Sequence, residues 1–457
     1  MARSPASQLL RGFGLVVYGP TTMYSMVKGA LIPLIPVLAH HFSNSVAIAG
    51  IAVAMLSVGE LLGSLPAGGV IARLGERRTM LISSAIGVVG IVGVALAPSL
   101  LLLMLGALLV GIGSSAFGLA RHALLTTYAP AAIRARAMSL MGGSGRLGQS
   151  IGPLIAGALL SLTASNEVVI GFSAVMLLAT ALLVWFSPEL TPETMHNAFR
   201  DWAPPSAHTT EQSTAHTQQP EDAQATDGDG FATQVSDGSG ETASQEASEQ
   251  VRVSFWLAIR EGLPVLARLG LGMLALSLLR SGREAIIPLW GISLNANAET
   301  ISWIAGFSGV LDFLLFYASG QIMDRYGRLA AAVPSALGMS AAFVGLWVSH
   351  LLPGPIIWWI ACSLFMGLAN GVSAGIIKTM GSDVAPKSHP APFLGAWNTL
   401  ADVGTVGAPL LISAVTSVAS LPFSALLLAL SGFAGVVALW RWVPEYIPHR
   451  RANAHRQ

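Results

Sequence analysis

The apolar positions of this chain fall in runs too long for the helices of an ordinary soluble core. Mostly aliphatic stretches lie near 14–39, 46–71, 79–97, 100–121, 138–162 and 168–187. They resume near 264–292, 299–322, 329–350, 355–379, 392–416 and 421–443. A helix needs ~20 such residues to cross a ~30 Å hydrocarbon core. In lipid every backbone N–H and C=O has to be bonded within the chain, so the runs predict twelve transmembrane helices. The polar positions concentrate between the sixth and seventh runs. Residues 189–256 are rich in Ser, Thr, Gln, Gly, Asp and Glu, a composition with too little apolar surface to offset chain entropy. The pattern therefore predicts a six-helix bundle over 1–188, a disordered acidic linker over 189–256, and a second bundle over 257–457 with a short tail. The short polar start, residues 1–11, shows no cleavage-site pattern, so no removable signal is expected.

Composition supports an all-α integral membrane protein. Hydrophobic residues make up 53% of the 457 and charged residues 10%, against ~25% charged in soluble domains. The 49 glycines suit helices that approach closely in lipid. A net charge of +1 argues against a nucleic-acid partner. The single cysteine, Cys362, excludes an intramolecular disulfide. The basic residues are sorted by side. Arg73, Arg77, Arg78, Arg134, Arg136, Arg325, Arg328 and Lys387 lie in one set of connections, with Arg450 and Arg451 in the tail. The opposite connections, His40–Val46, Pro98–Leu100, Leu162–Val168, Ile292–Ile301, Ser349–Pro355 and Thr416–Leu421, contain no Lys or Arg. The positive-inside rule then predicts both termini and the basic loops in the cytoplasm, and a bacterial inner membrane fits. Trp185, Trp440 and Trp442 are expected at the inner interface, and Trp358 and Trp359 at the outer one.

The two halves repeat each other. Gly68-Gly-Val-Ile-Ala-Arg73-Leu-Gly75 matches Gly320-Gln-Ile-Met-Asp-Arg325-Tyr-Gly327, and Lys28-Gly-Ala-Leu-Ile-Pro33 matches Arg283-Glu-Ala-Ile-Ile-Pro288. Ala129-Pro130 matches Ala385-Pro386, and Gly148 and Pro153 match Gly404 and Pro409. An even number of spans per half makes these parallel repeats about an axis along the membrane normal.

Two six-helix halves, a long central loop and a Gly320-x-x-x-Asp324-Arg325-x-Gly327-Arg328 loop resemble the major facilitator superfamily. The first half keeps Gly68, Arg73 and Gly75 but has Ala72 at the acidic position. The resemblance implies two pseudo-symmetric six-helix bundles and a gating role for the loop residues, with Asp324 near a helix end where it would accept from an Arg. Enforcement of topology is the plainer reading of the same arginines. Gly148-x-x-x-Gly152-Pro153-x-x-x-Gly157 is similar to a motif of the family's drug/proton antiporters, with Ser139 at that motif's first glycine. Close helix packing explains these residues equally. The antiporters' span-4 arginine is absent, Ala107 standing in its place.

Charges inside the spans come next. An ionised residue at the bilayer centre costs at least ~2.5–3.5 kcal/mol, so each needs a partner, water or a role. They are Lys28, Glu60, Arg146, Arg280, Arg283, Glu284, Asp312 and Asp402. In the repeat Lys28 matches Arg283, Glu60 matches Asp312 and Arg146 matches Asp402. The resemblance implies that spans 1, 2, 4, 5, 7, 8, 10 and 11 line a central cavity, and every one of these charges lies on such a span. Arg280 and Glu284, four apart, are expected to neutralise each other. Glu60, Asp312 and Asp402 are the proton-coupling candidates, because a carboxyl in a low-dielectric cavity holds its proton more tightly. A static ion pair at Glu60, which sits between Gly59 and Gly63, is the rival reading. Trp290, Asn370, Trp397 and Asn398 are further cavity candidates for an amphipathic solute.

These observations predict a secondary active transporter that moves a small solute by alternating access, as a monomer in the bilayer. Proton-coupled export of drug-like or amphipathic compounds leads. Proton-coupled uptake of a nutrient is the alternative, and a non-transporting sensor stands behind both. No metal-ligand cluster, nucleophile elbow or phosphate loop is found, so neither an enzyme nor a metal or cofactor site is expected.

Overall fold

The computed structural model describes residues 13–129, 131–187, 240–386 and 390–447. Twelve membrane-length segments emerge among them. In the first half these are α1 (Gly19–Ser43), α2 (Val46–Leu74), α3 (Glu76–Ala95), α4 (Leu100–Tyr128), α5 (Ala131–Thr163) and α6 (Asn166–Phe186). In the second they are α7 (Gly240–Ser293), α8 (Ala298–Tyr326), α9 (Arg328–Ser349), α10 (Pro355–Gly371) continued by a short helix Ile376–Val384, α11 (Pro390–Val418) and α12 (Leu421–Tyr446). Most of the expected linker, residues 188–239, lies outside the described residues. Its end differs from expectation, because the helix that carries the seventh span already begins at Gly240.

Eleven segments are long and apolar enough to cross a membrane. The twelfth, α5, is 33 residues long but more polar, with Arg146, Gln149 and Ser150 in its middle. Helices α4 and the tenth span run on to Tyr128 and Val384, beyond the apolar runs that predict them.

The bundle is assembled by backbone close approach at repeated small residues. A Cβ placed on Gly111 of α4 would lie 2.1 Å from the Leu56 carbonyl oxygen of α2. At the matching position, a Cβ on Gly367 of α10 would lie 2.2 Å from the Ser308 carbonyl oxygen of α8. Gly148 and Gly152 likewise seat α5 on the Thr22 and Met26 carbonyls of α1, and Gly404 seats α11 on the Leu274 carbonyl of α7. Without a hydrophobic force between helices in lipid, such contact by dispersion and shape holds the pairs together. Within each half the pairs are α1 with α5 and α2 with α4, and α7 with α11 and α8 with α10. Two seams, α5 on α8 and α2 on α11, join the halves.

The turns between α2 and α3 and between α8 and α9 are made by Gly75 and Gly327, at φ +82° and +92°. A Cβ is strained there, which accounts for the second glycine of each loop motif. Gly68 and Gly320, by contrast, face open space, so no helix approach requires them.

The repeat breaks at one place. α4 is continuous, whereas the tenth span unwinds at residues 372–375, with Gly375 at φ +80°. The Arg280 guanidinium of α7 closes this break. It donates to the Ser373 carbonyl oxygen at 2.6 Å and to the Ser373 hydroxyl at 2.7 Å. A cation at the carboxyl end of a helix satisfies freed carbonyls and opposes the helix dipole. The Arg280–Glu284 pair expected from the i, i+4 spacing is therefore not the arrangement found. Trp359 also departs from expectation: it is 0% exposed and donates to the Ile287 carbonyl at 3.0 Å, while Trp358 is exposed.

Gly111→Val should push α2 and α4 apart. Overpacking of this kind costs about 1–3 kcal/mol, and thermal unfolding in detergent should show a lowered midpoint, with Gly68→Val as the neutral control.

Candidate functional site

Between the halves lies a cavity of about 480 Å³, on the side towards the basic loops. Its wall draws on α1, α2, α4, α5, α8, the tenth span and α11, and carries Lys28, Glu60, Arg146 and Asp402. A second space of about 50 Å³ lies beyond it, lined by Arg283, Glu284 and Asp312. Arg146 and Gln149 border both, so these two side chains form the partition. All lining residues of both cavities lie on the eight spans expected to surround the centre.

The partition is an ionic bridge between the halves. Arg146 Nη1 donates to both carboxylate oxygens of Asp312 at 3.1 Å, from α5 to α8. Arg283 approaches the same carboxylate at 3.8 Å and donates to the Ser308 hydroxyl at 3.1 Å. Beside it Gln149 Nε2 donates to Glu284 at 3.0 Å. Arg146 also stacks over the Phe316 ring, 5.5 Å from its centroid. Further out, Ser150 donates to the Gly309 carbonyl at 2.8 Å, and Ser161 to Glu299 at 2.5 Å. The Trp303 ring lies against Gly157, and Ser413 donates to the Ala47 carbonyl at 2.6 Å. These links run from the bundle's middle to the end whose loops lack Lys and Arg, closing that end.

On the cavity side of the partition, Lys28 and Glu60 pair at 2.7 Å, and Ser114 donates to Glu60 at 3.3 Å. The ion pair at Glu60 weighed from the sequence is thus present. Asp402 shares the cavity with Arg121, His122 and Lys378. Arg146 meets Asp312 rather than Asp402, its counterpart in the repeat.

Several expected residues lie elsewhere. Trp397 is 1% exposed, donates to the Ile377 carbonyl at 2.9 Å and packs against Phe393. Trp290 and Asn370 are buried inside the second half, and Asn398 is exposed but off the lining. Pro153 lines the small space, while Gly404 and Pro409 belong to the α7–α11 contact and the body of α11. The loop residues are remote from the cavity. Arg328 pairs with Asp383 at 2.8 Å and with Asp324 at 3.4 Å, tying the start of α9 to the end of the tenth span within one half. The matching contact in the first half is Thr127 to Glu76 at 3.4 Å. Arg73 and Arg325 are exposed, Arg325 lying over the Tyr326 ring.

Arg121, His122 and Lys378 are not among the charges named from the sequence: they stand at or just past the ends of the runs near 100–121 and 355–379, where a basic residue reads as an interface group. The repeat carries a signal: His122 and Lys378 stand at the same separation as Ala129 and Ala385.

The family match decides what this architecture is. The sequence matches the Major Facilitator Superfamily over residues 21–279 and 269–456. The chain belongs to the Major Facilitator Superfamily. A search of curated protein sequences finds no match. Among solved structures, the inward-open xylose transporter XylE from E. coli matches with a TM-score of 0.66 at 15% identity, over 93% of this chain and 95% of that one. A D-xylose–proton symporter matches at 0.67 and 14% identity, over 97% and 99%. A POT family transporter in complex with a thioalcohol-conjugated peptide matches at 0.67 and 12%, over 96% and 97%. At these identities the likeness is one of fold. As a superfamily member the protein is a multi-pass membrane transporter that works by alternating access, and the closed seam and open cavity are one of its two states.

A Cβ on Gly50 would lie 3.2 Å from the Ser413 Cβ, close to the ~3.5–4.5 Å of a disulfide. In the Gly50→Cys/Ser413→Cys variant, oxidation should stop transport and reduction should restore it, read by solute flux in proteoliposomes. Asp312→Asn should leave Arg146 and Arg283 uncompensated and lower stability by ~3 kcal/mol, as for a broken buried pair. Chemical unfolding in detergent measures it.

Proposed function

We propose that the protein is a proton-coupled exporter of a small amphipathic solute, working as an antiporter in a bacterial inner membrane with both termini in the cytoplasm. The observation that carries the reading is the placement of two carboxylates from opposite halves, Glu60 and Asp402, on the wall of one cavity. Each shares the cavity with a base, Glu60 with Lys28 at 2.7 Å and Asp402 with Lys378.

With the basic loops in the cytoplasm, the cavity faces inward. Glu60 is ionised when it holds Lys28, and a proton arriving on Glu60 removes the ion pair and frees the lysine. In an antiport cycle, proton loss to the cytoplasm, re-formation of the pair and solute entry belong to the inward state. Protonation belongs to the outward one. Asp312 has a different part in this reading. Held by Arg146 and Arg283, it is the latch of the closed outer seam, and opening that seam requires the Arg146 bridge to part. The glycine-proline stretch of α5 serves helix packing. Gly148 and Gly152 lock α5 to α1, and Gly157 leaves room for Trp303 of α8, so one rigid helix serves both the half and the seam.

Proteoliposomes with an imposed proton gradient test the proposal. Glu60→Gln and Asp402→Asn should each reduce solute-driven proton movement at least ~10-fold, within the range for loss of a proton-transferring group. Normal coupling in both variants rejects the carboxylate mechanism. In vesicles of known orientation, solute moving with protons instead of against them replaces export with uptake.

A further inference from the structure

The charges of the cavity do not cancel within the protein. Lys28 is matched by Glu60, Arg146 and Arg283 share Asp312, and Glu284, which accepts from Gln149, lies near Lys28 and Arg280. Arg280 is committed to the break in the tenth span. Arg121 and Lys378 remain, facing Asp402 across the same cavity. Among the described residues, none of these three makes an ion pair. His122 beside them spends its Nδ1 on the Gly118 carbonyl at 2.8 Å. The Arg121 Nε is enclosed and without a hydrogen-bond partner among the described residues. Lys378 is exposed, and the space it is exposed to is this cavity.

We infer that Arg121 and Lys378 form a binding site for an oxyanion group on the transported solute, so that the cargo is an organic anion. The inference rests on the reading of this cavity as the transport site and adds the cargo's charge to it. Two cations with one carboxylate near them leave a net positive wall. In a low-dielectric space an incoming carboxylate or phosphate oxygen restores neutrality and can accept from the terminal nitrogens of the Arg121 guanidinium. A guanidinium presents a planar fork to two oxygens, and an ammonium beside it a point charge. The α5 wall carries no side chain where it passes Arg121: a Cβ added at Gly145 would touch Arg121 Nη2 at 3.9 Å. Leu61, Met141, Phe316 and Val406 line the same cavity and give an apolar surface for the rest of the molecule. A volume of about 480 Å³ fits a small organic solute.

The two cations come from different halves, Arg121 from α4 and Lys378 from the helix that follows the break. An anion held by both therefore draws the halves together at the open end. Arg280 enters this picture at one remove: it stabilises the unwound turn that sets the direction of the helix carrying Lys378.

Equilibrium binding to the purified full-length protein in detergent tests the inference without any gradient. Benzoate, succinate and inorganic phosphate are titrated at constant ionic strength in chloride, with the tetraphenylphosphonium cation as the opposite probe. Tryptophan fluorescence and the thermal midpoint are the readouts. At least one anion should bind and raise the midpoint. Arg121→Gln and Lys378→Gln should each weaken it roughly tenfold or more, with partial recovery in Arg121→Lys. Preference for benzoate or succinate identifies a carboxylate cargo, and preference for phosphate a phosphorylated one. Wild-type protein labelled with phenylglyoxal and mapped by mass spectrometry should show Arg121 protected by the bound anion, which keeps the test independent of how the variants fold. Binding of the cation alone, no binding by any of the anions, or equal binding by variants and wild type overturns the site. Because no proton movement is measured, a failed transport assay with intact anion binding rejects the coupling mechanism and leaves this site standing.

Discussion

An ion in the middle of a bilayer has to be held by another group of the protein, and in this chain that requirement shapes the centre of the molecule. Asp312 accepts from Arg146 across the seam between the halves and lies near Arg283 of its own half. One carboxylate thus serves arginines of two spans and fastens two bundles. The Gln149–Glu284 contact and the Ser150–Gly309 bond continue the seam outward from that point. The larger cavity sits on one side of this partition and the closed end on the other. A seam of charge-assisted and neutral hydrogen bonds suits a transporter, since it is strong when dry and exchangeable for water when the end opens.

Around that centre the scaffold is stiff for a different reason. Gly111 on Leu56 and Gly367 on Ser308 bring helix backbones to the shortest separations available, at matched places in the two halves. Each pair is locked by backbone contact, and the halves meet at the α5–α8 and α2–α11 seams. Departure from the repeat is correspondingly informative. The tenth span unwinds where α4 does not, and Arg280 supports the loose carbonyl at Ser373. At position 280's counterpart the first half has Ser25, which lines the cavity and has no break to support.

The candidate site was legible in part. The residue types that can carry charge into a cavity were visible, because a buried ion stands out against an apolar run. Lys28 and Glu60 face each other as neighbouring spans allow, and all eight charges read from the sequence lie on spans that line the centre. Trp290, Trp397 and Asn370 were misplaced for a simple reason. An aromatic or amide on a cavity-lining span has a helix face turned to its neighbours as well as one turned to the cavity, and position along the chain does not say which. Arg121 and Lys378 were missed because a basic residue at the very end of an apolar run reads as an interface group, and hydropathy does not say that the helix end leans over a cavity.

The sequence by itself determined the twelve spans and their two-fold repetition. Those properties depend on local hydropathy and on spacing, both of which are one-dimensional. It also determined that Gly75 and Gly327 would make the matched turns, since a positive φ leaves few residue choices. Only the tertiary structure decided which ions pair. The repeat aligned Arg146 with Asp402, and spacing alone set Arg280 against Glu284, yet neither pair forms. Equivalent positions in a parallel repeat are related by rotation about the central axis and need not touch. A partner is set by which helices cross at a given depth. α5 crosses α8 at the level of Arg146, so its counter-ion is Asp312. That crossing leaves Arg121, Lys378 and Asp402 facing the open cavity.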